Sequence, residues 1–558
     1  MSDKSERIFQ SLSDISDQKV DEAARRPAGK RPAPRWRRWT ALAACLCLVA
    51  GAAVWYLPRM GGSSSNNGLG GSGADGVTNF MSYAGPVFPL TLAEENGAVT
   101  AQREITLDFQ PWVPRWISNE EMAAEEAAWG EESYDKILSD LRESFPDGGY
   151  SSRSTDLLIR DRYVLTNHSD QEQRVQVLYP FVSSLRDLTK RMPTLSADGE
   201  ELETVLHPGG YSGGFQDTEG QTDGERLNLR GLDSWEAYRD LLSDGSYLEG
   251  ALGDYPDLTG VPVTVYRFTD PWGPEQDEKA DLPNPTLRVE FELDYDRTTV
   301  LSYGFHGGFY DREAGIMGQS FSIPQEWERD HDRPYYLIVL GDDVANMTTQ
   351  GYNTGGWDTD KKIEAGVDIQ RYESDLDTAL RDAAALLYET DMERWSEDLW
   401  GLRHPAQATV DFEMYYGLLC GYLMSYGLLS EDPAERYETG WLEEVDFEVA
   451  DRVCYLEGEV TIPAGGTVEV TAQLVKNASF DFYCAHTENE GVYGYDLVTR
   501  LGSALTFTGQ SAVLEDRERI EIVRQNFGFE PESGIRTVEL NPEEEHYYLA
   551  VRRVETEE

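Results

Sequence analysis

The sequence predicts a single transmembrane helix followed by a mainly-β, β-sandwich-like exported region that carries a helical segment, α+β overall. Three observations predict it. A run of 19 residues without a charge, Trp39–Leu57, stands directly behind a cluster of arginines. Segments such as "TLRVEFELDYD" alternate apolar and polar residues with a period of two, the mark of a half-buried strand. From about Asp368 two stretches exchange that alternation for helical spacing.

Residues 1–38 read as a cytoplasmic tail. Ile8, Phe9, Leu12 and Ile15 recur at helical spacing, and Val20 and Ala23 continue the stripe weakly. A helix this short does not fold alone, so its apolar face needs a partner. The prolines of "RPAGKRPAP" then stop any helix.

Residues 39–57 read as the membrane helix. At about 1.5 Å per residue the run nearly crosses a hydrocarbon core of about 30 Å. Trp39, Trp55 and Tyr56 stand at its ends, where aromatic rings favour the headgroup region. Lys30, Arg31, Arg35, Arg37 and Arg38 precede it, against Arg59 alone behind it, which puts the N-terminus inside and the rest outside. Two alternatives use the same residues. Leu42-Ala43-Ala44-Cys45 resembles a lipidation site, but most of the apolar stretch follows the cysteine. "AGAAV" offers a signal-peptide cleavage site, but Val54–Leu57 extends the run past it.

Residues 58–78, with "GGSSSNNGLGGSGADG", form a flexible linker. Residues 79–365 read as a β-rich exported domain with helical insertions. "AVTAQREITLDF" alternates toward Phe109, and "LLIRDRYVLTNHSDQEQRVQVLYPFV" gives two strands joined by a turn. "SADGE" is a hairpin turn, and "PYYLIVLG" is a buried strand. Helices are expected at "SWEAYRDLL" and near "SNEEMAAEEAAW", where Ser118 and Glu121 suit a capping box. Residues 366–430 read as helical. The run Tyr415–Leu429 is apolar, but its length fits a core helix better than a membrane span. Residues 431–558 return to strands, with a hairpin expected around "PAGG" in "EVTIPAGGTVEV" and at least three further strands toward the C-terminus.

Charge bounds the partners. The chain carries a net charge of −54, and residues 1–60 hold 11 Lys and Arg against 6 Asp and Glu, so the acidity belongs to the exported part. Such a field repels phosphates and argues against nucleic acid as a partner. An aromatic content of 11% argues equally against disorder. Of five cysteines, Cys45 and Cys47 lie in the membrane run. Cys454 and Cys484 flank a strand-like region and could pair, and Cys420 reads as a buried free thiol.

No catalytic or cofactor motif emerges. None of the seven histidines lies within four positions of another, so helix-borne metal pairs are ruled out. His546 reads as solvent-facing on a strand. No cofactor is expected; the acidic loops "DTDKK" and "DPWGPEQDE" offer oxygens to calcium, but without the spacing of a dedicated calcium loop. The best ligand-like stretch is "YGFHGGFYDREAG". There His306, Tyr310, Asp311 and Glu313 combine aromatics with carboxylates, a pairing suited to sugars.

Ile15, Asp17, Lys19, Glu22, Ala23 and Ala24, followed by Arg35, Trp36, Trp39 and Ala41–Leu46, resemble a recurring layout in clostridial, Gram-positive single-pass membrane proteins. Those proteins pair a short anti-sigma-factor-like cytoplasmic tail with an uncharacterised exported domain. The resemblance implies a sensor or regulator whose tail meets a cytoplasmic regulatory protein such as a sigma factor. It covers about a tenth of the chain, and the tail holds no zinc-ligating His or Cys. Two other expectations stand beside it: an anchored module that binds glycan or peptide, and a cell-surface hydrolase centred on Tyr310–Glu313.

Overall fold

A computed structural model describes residues 83–554, apart from 110–114, 121, 125–132, 147, 153–156, 190–191, 211–234, 326–332, 356–360, 397–408, 433–435, 437–438, 482–490 and 517–518. The tail stripe Ile8–Ile15, the run Trp39–Leu57 with its flanking Arg35, Arg37 and Arg38, the linker 58–78 and Cys484 lie outside the described residues. Among the described residues no helix is long and apolar enough to cross a membrane.

The fold is mainly β, as expected, and consists of one sandwich inserted into another. The outer sandwich uses strands from both ends of the chain. From the first half come β1 (Thr91–Leu92), β2 (Val99–Asp108), β5 (Leu157–Asn167), β6 (Gln173–Ser183), β7 (Thr194–Ala197), β8 (Glu200–Glu201) and β9 (Thr204–Pro208), while β3 (Arg115–Ser118) and β4 (Gly149–Ser152) form a separate two-stranded sheet. The inner sandwich follows: β10 (Pro262–Trp272), β11 (Thr286–Glu292), β12 (Thr298–Tyr303), β13 (Gly307–Asp311), β14 (Ile316–Ser322), β15 (Tyr335–Gly341), β16 (Ala345–Tyr352), β17 (Lys362–Ile363), β18 (Gly366–Asp375) and β19 (Thr439–Trp441). The chain then returns to the outer sandwich with β20 (Arg452–Ile462), β21 (Thr467–Lys476), β22 (Phe480–Asp481), β23 (Val492–Val498), β24 (Thr506–Glu515), β25 (Ile520–Gln525), β26 (Thr537–Glu539) and β27 (His546–Arg553).

One outer layer is the seven-stranded sheet β26-β24-β2-β5-β21-β7-β8. Facing it are two four-stranded sheets, β1-β6-β20-β9 and β22-β23-β27-β25. In the seven-stranded sheet and in β1-β6-β20-β9 the central strands pair with partners from the other end of the chain. β2 runs parallel to β24, β5 antiparallel to β21, and β6 antiparallel to β20 from Gln173↔Ile462 to Ser183↔Arg452. The expected division at 366 and 431 is accordingly not a division of the fold, because residues beyond 451 complete sheets begun before 210.

The alternation read from the sequence holds: Leu157, Ile159, Tyr163 and Leu165 of β5 are buried on one face. That same face also holds Asp161 and Asn167. The expected hairpin at "PAGG" is instead an arch. β20 and β21 belong to different layers, as do β5 and β6, and the two arches stack. Asn167 joins them, donating from Nδ2 to the carbonyls of Gln171, Ile462 and Pro463 at 2.7, 3.2 and 3.0 Å. A ladder hairpin would leave these carbonyls facing water; the stacked arches bury them, and an amide side chain satisfies them.

The inner sandwich packs sheet β18-β10-β15-β12-β19 on sheet β13-β14-β11-β16-β17. Its core is apolar and aromatic: Phe305 meets Phe268 and Phe321 edge-on at 5.5 Å each, and Phe321 stacks on Tyr335 at 4.1 Å. The expected helix at 366–375 is strand β18, which pairs with β10 along nearly its whole length. Its exposed, polar sequence suits a sheet edge, and Val367, Ile369 and Tyr372 supply the β-branched and aromatic character.

Of the helices, α1 (Tyr134–Ser144) and α2 (Leu185–Leu188) lie in the first half, and α3 (Trp235–Leu242) and α4 (Ser246–Ala251) precede the insert. α3 is the helix expected at "SWEAYRDLL". The capping-box site differs: Ser118 ends β3, and Glu121 lies outside the described residues. α5 (Leu376–Ser396) and α6 (Phe412–Ser425) follow the insert's last long strand. Asp375 opens α5 by accepting from the Thr378 N–H at 3.1 Å, and Asp411 opens α6 by accepting from Met414 at 2.8 Å. Gly427, at φ +79°, closes α6 where a Cβ would be strained. Leu380, Leu419 and Leu423 of these helices share one apolar cluster with Val265 and Ile338 on the outer face of the inner sandwich and Tyr179 and Leu456 of the outer one.

Candidate functional site

The predicted ligand loop is the hairpin β13–β14. His306 precedes it, exposed, with its N–H donated to the Ser320 carbonyl at 2.8 Å. Phe309 and Tyr310 are 38% and 45% exposed. The Tyr310 phenol folds back over Gly308, where a Cβ would lie 2.6 Å from its hydroxyl, so a side chain there would push the exposed ring aside. Asp311 is half-buried and Glu313 exposed. Asp311 Oδ1 accepts the Ala314 N–H at 2.9 Å and so closes the hairpin's own turn. Arg312 lies over the Tyr295 ring at 5.4 Å. The loop thus presents aromatic surface, while one of its two carboxylates is held by the turn.

Of the acidic loops read for calcium, Asp358 and Asp360 lie outside the described residues, while Asp277 uses its oxygen locally. Asp277 accepts from the Lys279 N–H at 2.9 Å, and Lys361 donates to Asp281 at 2.8 Å. Among the described residues no three His, Cys, Asp or Glu side chains form a group able to hold a metal ion. Cys420 and Cys454 are buried free thiols, each pushed up to about 12 by desolvation, so neither is a ready nucleophile.

The densest chemistry lies where the chain enters the fold. Residues 83–92 run as a strap between the two four-stranded sheets, with Val87, Phe88, Leu90 and Leu92 all buried. Val87 bridges Leu497 of β23, while Thr91 and Leu92 pair with β6. Side chains from both ends of the chain hold the strap's backbone. Tyr163 Oη accepts from the Leu90 N–H at 2.9 Å, Lys476 donates to the Ala84 carbonyl at 3.0 Å, and Ser503 to the Leu90 carbonyl at 2.6 Å.

Arg103 secures it from below. Its guanidinium takes Asp161 in a two-pronged bond at 2.7 and 2.8 Å, then reaches the carbonyls of Val498 at 2.8 Å and Phe88 at 3.3 Å. Both partners are inaccessible to solvent. Tyr163 adds a bond to Asp161 at 2.6 Å. A carboxylate held by three hydrogen bonds and inaccessible to solvent is a structural tie, because no substrate can reach it.

At the strap's first residue a second cluster forms. Tyr83 donates to Asp496 Oδ2 at 2.6 Å, and His546 Nε2 meets the same oxygen at 2.8 Å. His546 also stacks flat on Trp235 of α3 at 4.9 Å. It therefore does not face solvent as expected: its side chain is only 11% exposed. Burial pushes the Asp496 carboxyl up, but His546 and the hydroxyls of Ser479 and Tyr83 outweigh it and hold the group below its ordinary value. Burial, then Asp496, raises the Tyr83 phenol well above its ordinary value. An Asp–His couple suggests nucleophile activation. Here, however, the neighbouring hydroxyls engage the aspartate side: Tyr83 bonds its carboxylate, and Ser479 Oγ accepts its backbone N–H at 3.2 Å. The cluster ties strap, β23, β27 and α3 together.

Sequence reading missed both clusters. For Arg103 and Asp161 the signal was present, since each occupies an apolar-face position of an alternating strand. For Tyr83, Asp496, His546 and Trp235 there was none, because four separate segments meet. No protein-family model matches the chain, and no curated protein matches it in sequence.

Proposed function

We propose that the chain is a single-pass membrane-anchored surface protein acting as a sensor or regulator. In this reading residues 1–38 are cytoplasmic, 39–57 span the membrane, and the acidic remainder is extracytoplasmic. One observation carries it. The first described residues after the linker are core elements of the fold, tied by Arg103, Lys476, Asp496 and Ser503 to strands from both ends of the chain. The outer sandwich therefore holds the chain firmly up to the end of the Gly- and Ser-rich linker that leads to the anchor. The apolar stripe Ile8, Phe9, Leu12 and Ile15 supplies the receiving surface for a cytoplasmic regulatory protein such as a sigma factor.

The test is a pull-down from cell extract with residues 1–38, paired with Phe9→Asp and Leu12→Asp in the full chain. The reading expects one cytoplasmic regulator to be captured and its regulation lost in both variants. Capture of nothing, with regulation intact in both, contradicts it.

A second reading, an anchored glycan- or peptide-binding module, draws on the exposed Phe309 and Tyr310. It expects array hits that Tyr310→Ala removes. The hydrolase alternative is the least favoured, because Asp311 closes its own turn.

A further inference from the structure

Alternation along β10 sends Tyr266 and Phe268 into the core of the inner sandwich, so an unbroken strand would send Trp272 there as well. The strand is broken by a bulge. Between Thr269 and Trp272 it carries one residue more than β18 opposite, and Asp270 sits in the excess at φ +49°. The extra residue turns Trp272 over, so that it stands opposite Gly366 on the face away from that core. Trp272 is the one exposed tryptophan among the described residues, at 49%.

The ring is set as a platform. A Cβ on Gly366 would lie 2.9 Å from Cε2, Cζ2 and Nε1 at once, a position over the flat of the indole rather than at its rim. One face of the ring therefore rests on the glycine backbone, and the other is left to solvent. Around it the sheet is polar. Asp368 and Gln370, two and four residues beyond Gly366, share its side of β18 and are exposed. At about 3.3 Å per residue they mark a track of about 13 Å leading from the ring. Among the described residues no hydrogen bond, ion pair or ring contact engages the side chains of Trp272, Asp368 or Gln370. Farther along the same face, Val263 and Val265 are buried in the apolar cluster under α5.

Such a surface suits a sugar. The C–H face of a pyranose stacks on an indole, while its hydroxyls donate to a carboxylate and exchange hydrogen bonds with an amide. A protein partner calls for a contiguous apolar patch, whereas this ring stands alone among polar side chains. An anionic glycan is repelled by a chain of net charge −54. We propose that the Trp272 face of β10 and β18 binds a neutral oligosaccharide, one unit stacked on the indole and the next within reach of Asp368 and Gln370. The β13–β14 hairpin belongs to the other sheet of the inner sandwich, so its exposed aromatics form a different surface. The site also needs nothing of residues 1–38, so failure of the sensor reading leaves it untouched.

The test is calorimetric titration of the full chain, in a polyoxyethylene detergent free of sugar, with cellohexaose, chitohexaose, xylohexaose and mannohexaose. Hexagalacturonate serves as the anionic control. At least one neutral hexamer is expected to bind. Trp272→Ala is expected to weaken it by at least about tenfold, Asp368→Ala by about threefold, and Trp272→Tyr least. Gly366→Val, which lifts the ring but keeps the indole, is expected to weaken it as Trp272→Ala does, and it decides the matter should Trp272→Ala fail to fold. Tyr310→Ala is expected to change nothing. Binding by no neutral hexamer, equal binding in Trp272→Ala, or tighter binding of hexagalacturonate than of every neutral hexamer overturns the proposal.

Discussion

The two sandwiches solve the same packing problem by opposite means. The inner one, β10 to β19, is nearly continuous in sequence, and its core is a stack of Phe and Tyr rings with apolar neighbours. The outer one is assembled from strands hundreds of residues apart, and its core contains buried charged and polar side chains, among them Arg103, Arg452, Asp161, Asp496 and Asn167. The difference shows what each core must specify. Strands joined by short turns find their register locally, so shape-matched apolar side chains suffice. Strands from opposite ends of a chain have no short turn to fix their register, and a slip of two residues keeps every apolar side chain on its own face. A buried ion pair or an amide that meets three fixed carbonyls tolerates no such slip. We read Arg103–Asp161 and Asn167 as register pins for the outer sandwich, a role with precedent for buried polar groups.

Five variants test that contrast. The largest effect belongs to Asp161→Ala, which leaves Arg103 buried and unpaired; denaturant unfolding is expected to show a loss of about 3–5 kcal/mol. The double variant Arg103→Met, Asp161→Leu is expected to recover much of it, because paired removal leaves no orphan charge. In the inner sandwich volume governs instead. Phe321→Ala is expected to cost about 3–4 kcal/mol and Phe321→Leu under about 1.5. A steep loss in Phe321→Leu would mean that ring geometry, not filling, specifies that core. Asn167→Ala is smaller, about 1–3 kcal/mol, through carbonyls of the stacked arches left unsatisfied.

The Asp496 tie is expected to hold at neutral pH and to be lost only in acid. Its folded pKa lies below the ordinary carboxyl value near 3.8. Its contribution is therefore complete above that value and fades as pH falls through the lower, folded one. Asp496→Asn is expected to flatten the acid limb of a pH–stability profile below about pH 4 and to leave its slope near pH 7 unchanged. An unchanged acid limb would remove Asp496 from the set of ties.

The same contrast explains what the sequence made legible. Within the inner sandwich, "TLRVEFELDYD" and "PYYLIVLG" were readable because alternation and burial are local properties. The misreading there was β18, an edge strand whose polar, exposed residues sit next to a strongly helical stretch. In the outer sandwich the strands were readable, but not their partners: nothing within "EVTIPAGGTVEV" tells an arch from a hairpin, since both need the same turn residues. The stretch His306–Glu313 was legible as an aromatic, Gly-rich loop, but not as the hairpin β13–β14. The role of Asp311 as the turn's own acceptor was not, because it depends on the position of one backbone N–H. His546 was misjudged because the residues that cover it, Trp235 and Tyr83, are more than 300 positions away.

The central claim is that the two ends of the chain form one cooperative sandwich around an inserted one. Hydrogen exchange read by mass spectrometry, comparing wild type with Asp161→Ala, tests it most directly. The account predicts that protection falls together in 99–183 and in 452–553, although only the first stretch is mutated, while 286–352 keeps its protection. Loss confined to 99–183, or equal loss across all three, would contradict it.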